Sequence, residues 1–147
     1  MNTQVDFYLL GSDQRSAKNL LACKLVAKAH AQKLSVYLSV ADAGHAAELD
    51  NMLWTFSQGS FIPHAVCSNE KQEIDRYPVL IGPMDSGNQA GRKLLINLGD
   101  KVSDHYQDFH RILEVVSAEQ ADKSSARNRF KLYKSAGVTP ATHEISV

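Results

Sequence analysis

The sequence predicts an α/β fold, a three-layer α/β/α arrangement with a mostly parallel sheet at its centre. Three observations carry that reading. Short runs that are apolar at consecutive rather than alternate positions mark strands buried on both faces. Between them the apolar spacing changes to three and four, the period of an amphipathic helix. The two patterns then follow one another as strand, helix, strand, helix, an order that suits parallel strands because each parallel connection must cross the sheet. At 147 residues the chain has the length of one domain, so residues 1–147 are expected to form a single unit.

Val5-Asp6-Phe7-Tyr8-Leu9-Leu10 is the first strand, stopped by Gly11. A helix is predicted from Ser16 to Gln32, with Leu20, Cys23, Ala27 and Ala31 in one lane beside Leu21 and Leu25. Cys23, in line with that lane, reads as a buried small hydrophobe. Leu34 to Val40 alternates as a second strand does, and Asp42 can cap a second helix whose lane is Ala46, Leu49 and Leu53. Residues 54–77 mix aromatic, Gly, Pro and polar residues without period and read as loop. Pro78–Ile81 and Leu94–Leu98 are strands on either side of a Gly-rich turn from Gly82 to Gly91. Arg111–Val116 fits either a fifth strand or a helix end, since so short an apolar run does not decide. A last helix runs from Glu119 to Ala136, with Gly137 as its stop and Pro140 just beyond.

Composition narrows the function classes. Lys plus Arg number 16 and Asp plus Glu number 16, so bulk electrostatics do not hold this chain on nucleic acid or membrane. No apolar run approaches the ~18–20 residues of a membrane span, and the polar opening Met1-Asn2-Thr3-Gln4 lacks the zones of a signal peptide, so a cytoplasmic protein is expected. Cys23 and Cys67 stand far apart with no histidine spaced to complete a zinc site, so neither disulfide nor metal is expected.

An α/β chain whose first strand ends in Gly invites a nucleotide-binding reading, but its motifs fail. Gly11-Ser12-Asp13-Gln14-Arg15-Ser16 offers one glycine where a dinucleotide fingerprint needs three. Gly82-Pro83-Met84-Asp85-Ser86-Gly87 has the glycine spacing of a phosphate loop, then continues with Asn88 and Gln89 where lysine and a hydroxyl are required. His105 and His110 fall on different faces of any helix, and His30 and His45 read as surface helix residues. No Ser or Cys sits in a nucleophile motif, so no catalytic residue and no cofactor is expected.

Two regions are unusual. In the last helix, Lys123, Arg127, Lys131 and Lys134 recur at spacings of four, four and three, on one face. With Arg129 counted, residues 121–137 hold five cations against the single acid Asp122, and Ala126, Phe130 and Tyr133 run beside the stripe. An idle helix face usually intersperses acids for i,i+4 pairs; this one does not. A solvated face anchored by Phe130 and Tyr133 and a binding surface for an anionic, partly apolar partner both fit the spacing. The second region, 53–64, gathers the only Trp, two of five Phe and one of four Pro. Phe56 reads as a lid on the core, whereas Trp54 and Phe61 beside Pro63 fit either core or a protein interface.

The same regions carry a family resemblance. Phe7-Tyr8-Leu9-Leu10, Leu49-x-x-x-Leu53-Trp54, Ser60-Phe61-x-Pro63-His64 and Pro78-x-Leu80-Ile81 are similar to the chi subunit of bacterial DNA polymerase III. Leu95-Ile96-Asn97-Leu98, Phe109-x-x-Ile112-x-Glu114-Val115-Val116 and Arg127-x-Arg129-x-x-x-Tyr133-x-x-Ala136-Gly137 continue the match in order across nearly the whole chain. The resemblance implies a nucleotide-binding-like topology without the phosphate motif, and a non-catalytic accessory subunit of the clamp-loader assembly. It implies a link from the replicase to single-stranded-DNA-binding protein, made by gripping the acidic C-terminal tail of that protein, which ends in an aromatic residue and a free carboxylate. Lys123, Arg127 and Lys131 correspond to tail-contacting positions, with Lys134 extending the stripe and Phe130 and Tyr133 in the adjoining apolar area. A psi subunit, or in some bacteria a helicase-like protein, is implied at Trp54, Phe61 and Pro63, with DNA reached only indirectly. The sequence departs from the family at Phe130, often Trp or Tyr, and at Lys134, often Arg, where a point charge replaces a bidentate fork. A small nucleotide-binding α/β enzyme and a direct nucleic-acid-binding module are the alternative readings.

Overall fold

The computed structural model describes residues 3–56, 62–67, 77–84 and 91–145. In them seven strands, β1 (Gln4–Leu10), β2 (Val36–Ser39), β3 (His64–Val66), β4 (Val79–Gly82), β5 (Leu94–Asn97), β6 (Arg111–Val116) and β7 (Ala141–Ile145), form one sheet. Their order is β3-β4-β2-β5-β6-β1-β7, and every pairing is parallel. Helices α1 (Arg15–Ala31) and α2 (Ala43–Thr55) cover one face, where Ala22, Val26, Leu49 and Leu53 meet Leu38, Ile96 and Leu113. Helix α3 (Gln120–Ser135) covers the other, bringing Ala126 and Tyr133 onto Phe7, Leu95 and Ile112. The fold is thus the expected three-layer α/β/α, with a sheet that is wholly parallel among the described residues.

Several local expectations change. Trp54 belongs to the last turn of α2 rather than to a loop, and His64–Val66 pairs with β4 as an edge strand. Arg111–Val116 is a strand because β1 and β5 flank it on both sides, which its double-faced apolar run requires. Ala141–Ile145 adds a seventh strand in a segment whose exposed polar residues gave it no apolar signature. In α1 the buried lane is Asn19, Ala22, Cys23, Val26 and Ala29, while Ala31 is exposed, one step round from the expected face. His45 is not a surface residue: it is buried, its Nε2 2.7 Å from Asn19 Oδ1, while its backbone N–H donates to the capping Asp42 side chain at 2.8 Å. Burial lowers its pKa, with Arg15 adding to the effect. Cys23 is buried as expected, and burial pushes its thiol up to about 12.

Three devices seat α3. At its start Glu119 makes no side-chain cap, and Asp122 in the first turn takes over. The Asp122 carboxylate accepts from the Ser117 N–H at 2.7 Å, from the Ser117 hydroxyl at 2.8 Å, and from Lys18 Nζ of α1 at 2.9 Å. Burial raises its pKa, but the Ser117 amide and Lys18 outweigh it and hold the carboxyl below its ordinary range. At the helix end Gly137, at a φ of 91°, lets the Val138 N–H reach the Tyr133 carbonyl at 3.0 Å.

In the middle of the helix, Glu114 of β6 is fully buried and so is Arg129, Nε to Oε1 at 2.9 Å. The carboxylate also accepts from the Tyr133 hydroxyl at 2.8 Å and from Asn97 Nδ2 of β5 at 3.0 and 3.2 Å. Ser125 accepts a further Arg129 N–H at 2.7 Å, while Arg129 Nη2 has no hydrogen-bond partner among the described residues. Burial raises the Glu114 pKa against the pull of Arg129, Tyr133 and Asn97, and burial also raises that of Tyr133, assisted by the adjacent Glu114 charge.

Arg129→Ala should cost about 3–5 kcal/mol, because it leaves the Glu114 charge buried and unpaired. Adding Glu114→Gln to that chain should recover part of the loss in urea unfolding; strictly additive effects would show the two residues to be uncoupled. Asp122→Ala should cost about 1–3 kcal/mol. Since the folded state binds the Asp122 proton less readily than the unfolded chain, the Asp122 contribution is complete above the ordinary value of 3.8 and is lost as pH falls from there. The acid limb of a stability–pH curve should accordingly be shallower in Asp122→Ala than in the parent.

Candidate functional site

Because Arg129 and Tyr133 turn inward with Ala126, the opposite face of α3 must carry the remaining cations. Lys123, Arg127, Lys131 and Lys134 are all exposed, as their spacing predicts. Arg129 is not part of that surface, and neither is Tyr133, which is 1% exposed and spends its hydroxyl on Glu114. The expectation that Tyr133 lines the apolar edge is therefore corrected: it lies beneath that edge, its ring 6.1 Å from Phe7. Phe130 is half-buried, 5.4 Å from Phe7 between ring centroids, with Lys134 Nζ 5.9 Å from its own ring.

Between α3 and strands β1, β6 and β7 lies a groove of about 320 Å³. Phe7, Leu10, Val116 and Phe130 supply its apolar surface, and Lys123 and Arg127 its charge. Among the described residues no carboxylate lines it. A cation pair above an aromatic floor suits a ligand with an anionic end and an apolar body, since each part gains only where the other is also accommodated. Lys131 and Lys134 lie farther along α3 outside the groove, as an electrostatic continuation of it.

The aromatic region is on the other side of the sheet. Trp54 is 50% exposed at the end of α2, its ring 4.7 Å from the imidazole of His64. His64 is buried, with Nδ1 2.6 Å from the Ile62 carbonyl and Nε2 3.0 Å from the Asp50 carboxylate, so the support under Trp54 is pinned to both α2 and β3. Pro63 is partly buried beside it, and Val66 of the edge strand is 44% exposed. Phe61 lies outside the described residues.

Parallel α/β sheets commonly bind ligands over the carboxyl ends of their strands. Here that crevice, about 360 Å³, is lined by Asp13, Asp42, Asp100, Glu119 and Asp122 against Arg15 and Lys18. Lys18 is taken by Asp122 and Arg15 by Glu48, so the local field repels phosphate. Residues 85–90 of the Gly-rich turn lie outside the described residues. Among the described residues no group of His, Cys, Asp and Glu is placed to hold a metal ion, and no helix is long and apolar enough to cross a membrane.

Residues 1–141 match the family described as DNA polymerase III chi subunit, HolC. The chain is 36% identical over 144 residues to the DNA polymerase III subunit chi of Pseudomonas aeruginosa, covering 97% of each chain. It is 30% identical over 135 residues to the subunit of the same name in Escherichia coli, covering 89% of this chain and 90% of that one. With the Haemophilus influenzae subunit chi the identity is 29% over 147 residues and 99% of both chains. A match of this extent, on a fold whose α3 carries the Arg127-x-Arg129 and Tyr133 pattern outward and inward as described, places the chain in the DNA polymerase III chi subunit family.

Proposed function

We propose that this chain is a non-catalytic accessory subunit of DNA polymerase III that joins the clamp-loader assembly to single-stranded-DNA-binding protein by holding the acidic C-terminal tail of the latter. One observation supports this most: Lys123 and Arg127 stand over Phe7, Phe130 and Val116 in one groove that no carboxylate lines among the described residues. A tail ending in an aromatic residue and a free carboxylate matches it part for part. The ring lies on the Phe7 and Phe130 floor, the terminal carboxylate meets Arg127 and Lys123, and acidic residues farther back face Lys131 and Lys134. Arg127 carries the most, since a guanidinium can meet a carboxylate through two N–H groups at once. DNA is reached through the partner rather than directly, because four exposed cations on one helix neutralise too few phosphates to hold DNA at physiological salt.

Trp54 and Pro63, with Phe61 between them in sequence, form the docking surface for a psi subunit or a helicase-like protein on this reading. No reaction is assigned. The acidic crevice at the carboxyl ends of the strands opposes the phosphate binding that a nucleotide enzyme would need. A cytoplasmic location accompanies the role.

Calorimetric titration with a tail peptide should show Arg127→Ala losing about 1.5–3 kcal/mol, the range for a hydrogen bond to a charged group. Lys123→Ala and Lys131→Ala should lose less, as more solvated point charges. A peptide lacking its last residue should bind weakly, and salt should reduce binding without abolishing it. Equal affinity for both peptides, or tighter binding of bare single-stranded DNA than of the full tail, would falsify the reading. Trp54 emission, which reports a half-exposed indole, should shift to shorter wavelength when the second partner covers it. Trp54→Ala should weaken that partner while leaving the thermal midpoint nearly unchanged; loss of the fold instead would return Trp54 to a structural role.

A further inference from the structure

A second groove on the opposite face of the sheet has the same chemistry as the first, and nothing in the proposed function uses it. It lies between the last two turns of α1 and the amino-terminal ends of β5 and β6, with a volume of about 170 Å³. Its apolar surface comes from Leu25, Leu34 and Tyr8, each only partly buried. Around it stand Lys28, Lys93, His110 and Arg111, and among the described residues no carboxylate lines it, Asp6 lying behind Arg111.

The charges are held in place by the backbone. The amides of His110 and Arg111 both donate to the Lys93 carbonyl, at 3.0 and 3.4 Å, so the backbones of three of the four basic residues meet at one point. Lys28, Lys93 and His110 make no ion pair among the described residues. Arg111 is anchored by one edge only: Nε meets the buried Asp6 at 2.9 Å, where His143 and Gln4 also converge, and Nη2 lies 3.4 Å from the Tyr8 hydroxyl. Lysine in the last turn of a helix offsets the helix dipole, which accounts for Lys28. Arg111 at the start of β6 is paired with Asp6, while Lys93, just before β5, has no such explanation.

We infer that this groove is a second docking site for an acidic peptide segment carrying one apolar side chain, independent of the α3 groove and of the reading given to it. The apolar side chain fills the space over Leu25 and Leu34, and flanking carboxylates meet Lys28, Lys93 and Arg111. Acidic peptide is favoured over single-stranded nucleic acid because sequence-tolerant strand binding uses open aromatic faces. The one aromatic ring here, Tyr8, is already stacked on His143 at 5.1 Å and 25°. With grooves on both faces, the chain would hold two acidic segments at once and gain avidity for a partner that presents more than one.

The test uses the full chain carrying Arg127→Glu, which closes the α3 groove, labelled with nitrogen-15. The titrant is a synthetic peptide of aspartates around a central leucine, amidated so that no terminal carboxylate remains. Saturable shifts of the Lys93, His110 and Arg111 amides are expected. Lys28→Glu with Lys93→Glu should weaken this binding about tenfold. In the chain that keeps Arg127, the same pair of changes should leave binding of the tail peptide at α3 intact, which separates the failure of one site from failure of the other. Should the reversed charges disturb folding, Lys28→Gln with Lys93→Gln gives the same direction with a smaller change. Absence of saturable shifts at these amides, indifference to both pairs of substitutions, or tighter binding of oligothymidylate than of the peptide at the same amides overturns the assignment.

Discussion

The buried ion pair between Glu114 and Arg129 is the constraint around which the rest of the molecule is arranged. Two opposite charges removed from water are costly unless each is met by further hydrogen bonds, and here Tyr133, Asn97 and Ser125 converge on the pair from α3 and β5. The contact fixes the rotation of α3 about its own axis. At about 100° per residue, position 129 lies about 200° from both 127 and 131, so seating Arg129 against β6 turns Arg127 and Lys131 to solvent. The same rotation puts Phe130 at the margin, where its ring meets Phe7 and stays half-open to the groove. A helix held by hydrophobic contacts alone could slide or roll with little penalty. A helix held by a charged pair has one energetically acceptable seat, and the binding face inherits that precision.

Charge is distributed along the strand direction as well as across the sheet. Asp13, Asp42, Asp100, Glu119 and Asp122 gather at the carboxyl ends of the strands, while Lys28, Lys93 and Arg111 stand at the opposite end. A net charge of zero therefore conceals a polarised molecule. The topology is one in which other proteins hold nucleotides at the carboxyl ends, yet the sign of the field there is wrong for phosphate, and the cations are found on faces and at the other end. The backbone architecture and the ligand chemistry are separable: the first comes from apolar runs and crossover connections, the second from which side chains rim each opening.

How much of this was legible in the sequence depends on whether a residue's neighbours along the chain decide its fate. The first, second, fourth and fifth strands and all three helices announce themselves through apolar runs and period, because each buries a face of its own. β3 and β7 are edge strands, short or exposed, and carry no such pattern; only the neighbouring strand makes them strands. Among the groove residues, Lys123, Arg127 and Phe130 follow from helical spacing. Arg129 carries a signal of its own: it lies on the lane of Ala126 and Tyr133 rather than on the cation stripe, and Glu114 interrupts a strand that is apolar on both faces. A carboxylate in such a strand needs a buried donor, and an arginine on an apolar helix lane supplies one. His45 reads as a surface residue for the complementary reason, since its partner Asn19 is remote in sequence and polar. The α1 lane was displaced by one step because alanines are so frequent in that helix that several lanes fit equally well.

On the proposed reading, the placement of the two surfaces has a mechanical consequence. Trp54 sits at the end of α2 on one face of the sheet, near the β3 edge, and the α3 groove opens on the other face toward β7. A molecule seated at Trp54 would be separated from one in the α3 groove by the full thickness of a sheet whose inner strands are buried on both faces. On that reading neither occupant would need to displace the other. The rigidity required for this comes from β2, β4, β5 and β6, which hold almost no exposed surface. If the proposed contacts are made at these two places, no moving part is needed, because they are set on opposite sides of a stiff core, and the buried charged pair that seats α3 fixes the orientation of one of them.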